Sequence, residues 1–282
     1  MPRRVRLGSR EVAFPSAALA ELPDRSGLID DHAALRACFS ADGYVFLRGI
    51  LPRDAVLAAR SRVLEWVAGG LSVAEQRERA RTDPVIRTVV EHPRLFAVSG
   101  ALLDEAAMTF SFKWLRAVEE GVGSGAHLDA VYMGRGSRRV HTVWVPFGDV
   151  AVERGTLAVC EGSHRASSFQ AIRETYGELD VDRDRISDSG WFTSEPLELD
   201  QGRWCTADFD AGDVIAFDLY TLHASTTNLM PELRVSCDVR FQPKGEPADE
   251  RWVGDRPTGH TRFGKSSETS TTVAALRREW KV

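Results

Sequence analysis

The spacing of apolar residues follows a helical period in the first part of the chain. Residues 31–41 place their apolar side chains on one helical face, and Gly43 is suitably placed to end that helix. Residues 54–68 repeat this spacing, with a proline near the start and two glycines at the end. A short helix is also predicted at residues 273–280, after a run of serine and threonine. The first two of these helices lie in a region of about residues 28–105 that we predict to be helical.

The middle of the chain changes to the two-residue period of half-buried strands. The alternation is clearest in residues 108–115 and 139–147. Shorter strands are predicted at residues 44–47, 156–160, 214–217 and 233–241. Helices followed by many short strands favour a β-sandwich or jelly roll with helices on one side. We predict a single domain over residues 1–282, with a jelly-roll core at about 106–245 and a C-terminal extension at 246–282.

The composition indicates a chain that can bury a sizeable core and bind a small molecule. Of its 282 residues, 43% are hydrophobic, and acidic and basic residues are mixed along the chain to a net charge of −5. The sequence offers no basic stripe to nucleic acid or to an anionic membrane. Its N-terminus lacks the apolar segment of a signal peptide, and no stretch is long and apolar enough to span a bilayer. We expect a cytoplasmic protein, monomeric or homodimeric, with a small-molecule substrate.

The four cysteines are far apart in the sequence and form no C-x-x-C pair. This argues against a zinc site and against a disulfide framework. We interpret them as buried, reduced thiols.

A long polar stretch lies between Arg165 and Asp210, with a charge-dense centre that is followed by Trp191 and Phe192. Loops of this length in compact domains are often functional, for example as lids over an active site. A plain solvated excursion is an equally good interpretation. The sequence leaves both open.

Two histidines and one aspartate are the sharpest candidates for chemistry. In His127-Leu-Asp129, one intervening residue lets the imidazole and the carboxylate project to the same face of an extended segment. An ordinary hydrogen bond between the two side chains explains this pair equally well. Downstream, the apolar strand that follows Gly212 ends in His223. Together the three side chains predict a facial triad, which leaves coordination sites open and suits Fe(II) oxygen chemistry better than a closed zinc site.

An arginine that could bind a dicarboxylate follows this histidine. Arg234 lies near the start of the last predicted strand, where a guanidinium can hold a carboxylate in a bidentate, charge-assisted pair. Ser225 could add a hydroxyl donor. The two-residue period places Arg240 on the same strand face, which makes it a rival, and a structural arginine–aspartate pair explains either residue without a ligand. We favour Arg234, partly because of a family resemblance.

Four blocks of the sequence resemble the phytanoyl-CoA dioxygenase family in order and spacing, over a region from about Tyr44 to Phe241. The blocks are residues 127–129, 144–149, 153–164 and 212–234. The third block is similar to the family signature N-G-x-L-x-x-x-P-G-S-H. It departs from that signature at Glu153-Arg154, which replaces the usual E-N, and at Glu161, where proline is common. These departures are small.

The resemblance implies a mainly β fold with flanking helices, a double-stranded β-helix of the jelly-roll or cupin-like type. It implies that the triad binds Fe(II), that 2-oxoglutarate chelates this metal, and that O2 is the oxidant. The residues it implies as metal ligands are His127, Asp129 and His223. The residues it implies around 2-oxoglutarate are Arg234 as the carboxylate clamp, Ser225 beside it, and Trp144 in the pocket wall.

Four further residues are assigned, two of them with help from strand alternation. Thr142 would share the strand face of Trp144, which places His141 on the opposite face as a packing or surface residue. His164, in the family's Gly-Ser-His landmark, is predicted to have a structural role in a turn. Lys113 could contact a carboxylate, although a solvated strand face explains it better.

The implied reaction is hydroxylation, or another oxidation, of an unactivated C–H bond, with release of succinate and CO2. A small molecule of secondary metabolism is the expected substrate. Halogenating relatives generally carry Ala or Gly where this chain has Asp129, which argues against that branch. Two alternatives remain: a non-catalytic cupin-like binding or regulatory protein, and a metal-dependent hydrolase that uses the same triad.

Overall fold

The computed structural model of the protein describes residues 3–282. The α-helices of this part of the chain are α1 (His32–Asp42), α2 (Arg53–Ala68), α3 (Val73–Ala80), α4 (Pro84–Val90), α5 (Pro93–Leu103), α6 (Ala130–Met133), α7 (Gln170–Glu174) and α8 (Val273–Trp280). Over residues 3–282, the helices are too short or too polar to cross a bilayer. The helices predicted at residues 31–41, 54–68 and 273–280 correspond to α1, α2 and α8.

The ends of α1 show how local sequence sets an element. Asp31 precedes the helix, and its carboxylate accepts a hydrogen bond from the backbone N–H of Ala34 at 3.0 Å. The helix ends at Gly43, which adopts a left-handed conformation with φ of 83°. A side chain there would also lie 2.5 Å from Nδ1 of His164, so both the backbone angle and the space require glycine.

The strands form one small sheet and two larger ones. They are β1 (Arg3–Leu7), β2 (Arg10–Phe14), β3 (Ala20–Glu21), β4 (Tyr44–Leu47), β5 (Ala107–Thr109), β6 (Trp114–Val118), β7 (Ser124–His127), β8 (His141–Pro146), β9 (Leu157–Glu161), β10 (Arg203–Thr206), β11 (Val214–Asp218), β12 (His223–Ser225) and β13 (Arg234–Pro243). β1 and β2 pair as an antiparallel hairpin. One larger sheet has the order β3-β10-β9-β12-β7, and the other has the order β4-β11-β8-β13-β5, with β6 also paired to β13.

The two larger sheets face each other as the double-stranded β-helix that the sequence predicts. Aromatic and aliphatic side chains fill the space between the sheets, including Phe46, Trp144 and Phe217. Helices α1, α2, α4 and α5 contribute to a core that covers the outer face of the β8 sheet, where Val143 and Val145 point. Because side chains alternate along β8, Thr142 and Trp144 point to the interior instead. The predicted fold class is confirmed.

Two strand predictions were wrong in detail. The alternating run at residues 108–115 is broken, because the chain leaves the sheet between β5 and β6. The strand after Gly212 ends at Asp218, and His223 instead begins β12 in the other sheet. The side chain of Asp218 accepts the N–H of Tyr220 at 2.8 Å, which stabilises the turn that carries the chain from one sheet to the other.

Candidate metal centre and cosubstrate pocket

His127 and His223 are brought together by strand pairing. β7 and β12 are antiparallel, and the two histidines lie directly opposite each other with ring centroids 4.1 Å apart. Nδ1 of His127 bonds to the carbonyl of Gly125 at 2.9 Å, and Nδ1 of His223 bonds to the carbonyl of Thr221 at 3.0 Å. A carbonyl can only accept, so each Nδ1 carries the proton and each Nε2 keeps its lone pair for a metal.

The third candidate ligand is Asp129, the residue just before α6. Asp129 adopts a helical conformation with φ of −63°, so it no longer lies on the extended segment that the sequence suggested. Its Oδ1 lies 3.9 Å from Nε2 of His223. One donor atom from each of the three residues lies within 4.8 Å of the other two. Two imidazole nitrogens and one carboxylate oxygen are the donor set of a facial triad, so these residues fit one Fe(II) ion.

The opposite sheet holds the carboxylate of Asp129 in place. Thr142 and Arg240 are paired across β8 and β13, and both reach this carboxylate. The hydroxyl of Thr142 donates to Oδ2, and Nη2 of Arg240 lies 3.0 and 3.1 Å from the two oxygens. Arg240 also lies 4.2 Å from the ring of Trp114. Outer contacts of this kind fix the orientation of a metal ligand.

The charges of the triad suit metal binding. Burial lowers the pKa of His127 to about 3, and the neighbouring His223 adds to this shift. Burial also lowers the pKa of His223. For Asp129, burial opposes ionisation, but Arg240 and the neighbouring imidazoles hold its pKa below the usual range. Neutral imidazoles beside an ionised carboxylate are the protonation states that metal ligands need.

Arg234 is a buried cation without a carboxylate partner in the part of the chain that the structure describes. Its side chain is 4% exposed, Nη1 donates to the hydroxyl of Ser236 at 2.5 Å, and Nε makes no hydrogen bond within residues 3–282. Burial lowers its pKa to about 10, and the neighbouring Arg116 contributes. Its guanidinium carbon lies 5.8 Å from the centre of the Trp144 ring.

A cavity of about 430 Å³ joins Arg234 to the triad, within the usual range for small-molecule sites. Ser225 and Trp144 also line this cavity. The oxygen of Ser225 accepts the N–H of Ser124 at 2.9 Å, which leaves its own hydrogen available to a ligand. The cavity therefore contains a candidate metal site, a hydroxyl donor, and a cation that has no carboxylate partner within residues 3–282.

Residues 39–236 match the family model of phytanoyl-CoA dioxygenase (PhyH). The chain belongs to this family. It is 25% identical to 1-deoxypentalenic acid 11-beta-hydroxylase of Streptomyces exfoliatus, over 80% of this chain and 86% of the hydroxylase. Its sequence is 23% identical to the hydroxylase of the same name from Streptomyces arenae, over 79% and 86% of the two chains.

The fold of this PhyH chain is shared with solved structures of biosynthetic enzymes. The epimerase SnoN, in complex with Fe3+, alpha ketoglutarate and nogalamycin RO, has a TM-score of 0.59 at 20% identity, over 85% of this chain and 97% of SnoN. The carbocyclase SnoK from nogalamycin biosynthesis has a TM-score of 0.60 at 19% identity, over 83% and 93%. The predicted family and enzyme class are confirmed: the protein is an oxidoreductase of the 2-oxoglutarate-dependent dioxygenase type.

Two residues of this PhyH chain that were predicted to contact 2-oxoglutarate, Lys113 and Thr142, do not line the cavity. Lys113 is fully buried, so neither a solvated strand face nor a cosubstrate contact describes it. Its Nζ donates to the carbonyl of Phe110 at 2.7 Å and lies 3.4 Å from Glu91, outside the cavity wall. The hydroxyl of Thr142 donates a hydrogen bond to the candidate ligand Asp129, and Thr142 lies outside the cavity wall.

The two histidines set aside by the sequence analysis lie away from the triad. His141 is buried, faces the helices and hydrogen-bonds the hydroxyl of Ser99 at 2.9 Å. His164 contacts the carbonyl of Ser40 at 3.1 Å, so it ties its turn to α1. The hydroxyl of Ser163 donates to the carbonyl of Cys160 at 2.7 Å, as expected for a turn.

Several cavity residues were not assigned to the site by sequence reasoning, which left open whether the long polar stretch is a lid or a solvated excursion. Trp191 and Ser189 reach the wall from the long polar stretch, and His260 and Phe263 reach it from the C-terminal extension. Asp182 ties the C-terminal extension to the long polar stretch, because its carboxylate accepts hydrogen bonds from the backbone N–H groups of residues 261–263 at 2.7–2.9 Å. Arg77 and Arg116 were also missed. Aromatic residues inside the polar stretch were the available signal for the first group.

Proposed function

We propose that this protein oxidises a C–H bond of a small organic molecule, with Fe(II) held by His127, Asp129 and His223. We further propose that 2-oxoglutarate binds beside the metal, with its distal carboxylate on Arg234 and on the hydroxyl of Ser225. When bound, iron and 2-oxoglutarate supply the oxidation by O2, with release of succinate and CO2. Hydroxylation is the proposed outcome.

The observation that carries the proposal is that Arg234 is buried and has no carboxylate partner within residues 3–282. A guanidinium that is 4% exposed and has only a serine hydroxyl as hydrogen-bond partner within residues 3–282 is costly to bury. A dicarboxylate in the same cavity supplies the missing counter-charge at one end and reaches the metal donors at the other. A metal-dependent hydrolase would use the same three ligands but would give this buried arginine no anionic partner.

The other side chains of the site position these groups. Hydrogen bonds from Nδ1 fix both imidazoles with Nε2 toward the metal position. Arg240 and Thr142 restrain the carboxylate of Asp129. Trp144 lies against Arg234 and Phe209, so the cosubstrate end of the cavity has an apolar wall that strengthens an ion pair. This arrangement orients the metal ligands and the cosubstrate relative to one C–H bond of a substrate in the cavity.

Anaerobic titration of the Fe(II)-loaded protein with 2-oxoglutarate tests the proposal. We expect the weak visible charge-transfer band of a keto acid that chelates iron, saturating with one cosubstrate per chain. The His223→Ala variant should fold but lack this band, because it loses one of three ligands. A folded, iron-loaded wild-type protein without the band would contradict the proposal.

His164→Ala is the matched control for the histidine variant. His164 hydrogen-bonds Ser40 and lies outside the cavity wall, so its loss removes an imidazole without touching the metal site. This variant should retain the band at wild-type intensity. If both variants lose it, the effect of His223→Ala would report a general loss of structure rather than a ligand.

A further inference from the structure

The cavity wall contains more positive charge than its own carboxylates and the proposed cosubstrate neutralise. Arginines 77, 116, 234 and 240 line it, against the carboxylates of Asp129 and Asp238. In the proposed function the metal takes Asp129 and 2-oxoglutarate takes Arg234. Arg240 stays paired with Asp129, so the guanidinium groups of Arg77 and Arg116 remain beside one carboxylate, that of Asp238. An excess of this kind in a partly buried site favours a further anion.

Arg116 is only partly neutralised by Asp238. Its Nε and Nη2 approach a single oxygen, Oδ2, at 3.0 and 2.9 Å. The same oxygen also lies 3.3 Å from Nη1 of Arg240, so one carboxylate is shared between two guanidinium groups. The Nη1 group of Arg116 has no hydrogen bond to the described residues. This side chain is 39% accessible and lines the cavity, so its unused donor is available to a ligand.

Arg77 adds a second cation from the helix that packs on β6. Its Nε donates to the carbonyl of Leu115 at 3.2 Å, which anchors the guanidinium beside the strand of Arg116. No carboxylate in residues 3–282 forms an ion pair with Arg77. Burial lowers its pKa, and the charge of Arg116 adds to that effect. Two guanidinium groups held in this way offer planar, paired donors to a carboxylate.

Aromatic side chains make up another part of the same wall. Tyr132, Trp191 and Phe263 line the cavity, and Tyr132 lies 5.7 Å from the ring of the metal ligand His127 and 5.5 Å from the ring of Phe263. An apolar molecular body would pack against these rings close to the metal. The cavity thus presents cationic donors and an apolar surface to one ligand.

We propose that the substrate is an organic carboxylate with an apolar body, and that Arg116 and Arg77 bind its carboxylate. The inference rests on the proposed function, because it assumes that 2-oxoglutarate occupies Arg234. The apolar body contacts the aromatic wall, and the distance from the arginines to the triad selects the carbon that is oxidised. Arg116 and Arg77 are therefore specificity-determining residues for the acid group.

Calorimetric titration with matched acids and amides tests this proposal on the anaerobic, Fe(II)-loaded protein saturated with 2-oxoglutarate. The probes are benzoate, octanoate and 2-naphthoate, each compared with its primary amide, which keeps the body and removes the charge. We expect at least one acid to bind about tenfold or more tightly than its amide. Arg116→Gln and Arg77→Gln should each reduce this preference by about tenfold. Arg79→Gln, on the exposed face of the same helix, should leave it unchanged.

The outcomes separate this proposal from the cosubstrate assignment. Arg234→Met should weaken 2-oxoglutarate but preserve the ratio of acid to amide affinity. The proposal is overturned if no acid is preferred, if the preference survives in both glutamine variants, or if Arg116→Gln weakens 2-oxoglutarate as strongly as Arg234→Met. Should Arg116→Gln fail to fold, Arg77→Gln still decides, because its only side-chain bond in the described structure is to one carbonyl. An acid preference in a protein that gives no charge-transfer band would contradict the proposed function and still support the acid site.

Discussion

Replacing Arg234 with methionine should separate cosubstrate binding from protein stability. Without a ligand, the side chain is 4% exposed and has one side-chain hydrogen bond, to Ser236. Burial lowers its pKa to about 10, and at about 1.4 kcal/mol per pKa unit the buried charge costs a few kcal/mol. Methionine fills much of the same space without the charge. The ligand-free variant should therefore be as stable as the wild type, or more stable.

The same substitution should, in contrast, weaken the binding of 2-oxoglutarate. A guanidinium that pairs with the distal carboxylate of 2-oxoglutarate would be a buried, charge-assisted contact, and removing one partner of such a pair costs about 2–5 kcal/mol. The dissociation constant of 2-oxoglutarate should rise by about 30-fold to 5,000-fold. A functional residue that costs stability in the empty protein is a common trade-off in binding sites.

Chemical denaturation with and without 2-oxoglutarate, on the Fe(II)-loaded protein under argon, measures both effects. Cosubstrate at 100 times its dissociation constant should stabilise the wild type by about 2.7 kcal/mol, and the same concentration should add little to Arg234→Met. Arg240→Met is the control: it leaves Asp129 without its ion pair, so it should lose stability and metal affinity. An Arg234→Met protein that is less stable when empty, yet binds 2-oxoglutarate like the wild type, would refute the reasoning.

Three further substitutions probe the supports of the site. Thr142→Val removes the hydroxyl that donates to Asp129, so the Fe(II) dissociation constant, measured by chelator competition, should rise about 10- to 100-fold. Gly125→Ala places a methyl group 2.4 Å from the carbonyl oxygen of Thr193 and 2.7 Å from the Trp191 ring, so denaturant unfolding should show a loss of about 1–3 kcal/mol and altered tryptophan fluorescence. Asp182→Asn should cost about 3–5 kcal/mol at neutral pH, because a 2% exposed carboxylate loses its charge beside Arg251. Although burial opposes it, hydrogen bonds hold the folded pKa of Asp182 below its ordinary value near 4, so its stabilisation is present above that pH and is lost as the pH falls below it. The stability gap between wild type and Asp182→Asn should therefore shrink in acid, and a gap of constant size would contradict this assignment.

The triad could be predicted from the sequence because its residues lie in short motifs that keep their order along the chain. His127 and Asp129 are separated by one residue, and His223 follows an apolar run, although the structure places it at the start of β12 rather than at the end of the preceding strand. The two-residue period also placed Arg234 and Arg240 on one face of β13, which agrees with their positions in the cavity wall. Periodicity works here because β13 is regular over ten residues.

Sequence patterns failed where the chain leaves regular structure. Lys113 stood in an alternating run, but residues 110–113 lie between β5 and β6, so alternation does not describe where its side chain points. The sequence also did not indicate which of the two arginines, Arg234 or Arg240, pairs with Asp129. Arg240 contacts Asp129 only because β8 and β13 bring it opposite Thr142, a pairing between residues 98 positions apart in sequence.

The sequence by itself determined the fold class, because strand period and motifs that keep their order along the chain specify it; the triad and the choice of Arg234 are predictions from the same signals. Tertiary structure alone decided which groups support Asp129, and which segments close the cavity. Trp191 and Phe263 meet at the site because the carboxylate of Asp182 binds the backbone of residues 261–263. Contacts of this kind are set by three-dimensional packing and charge pairing between distant segments, and no period along the chain encodes them.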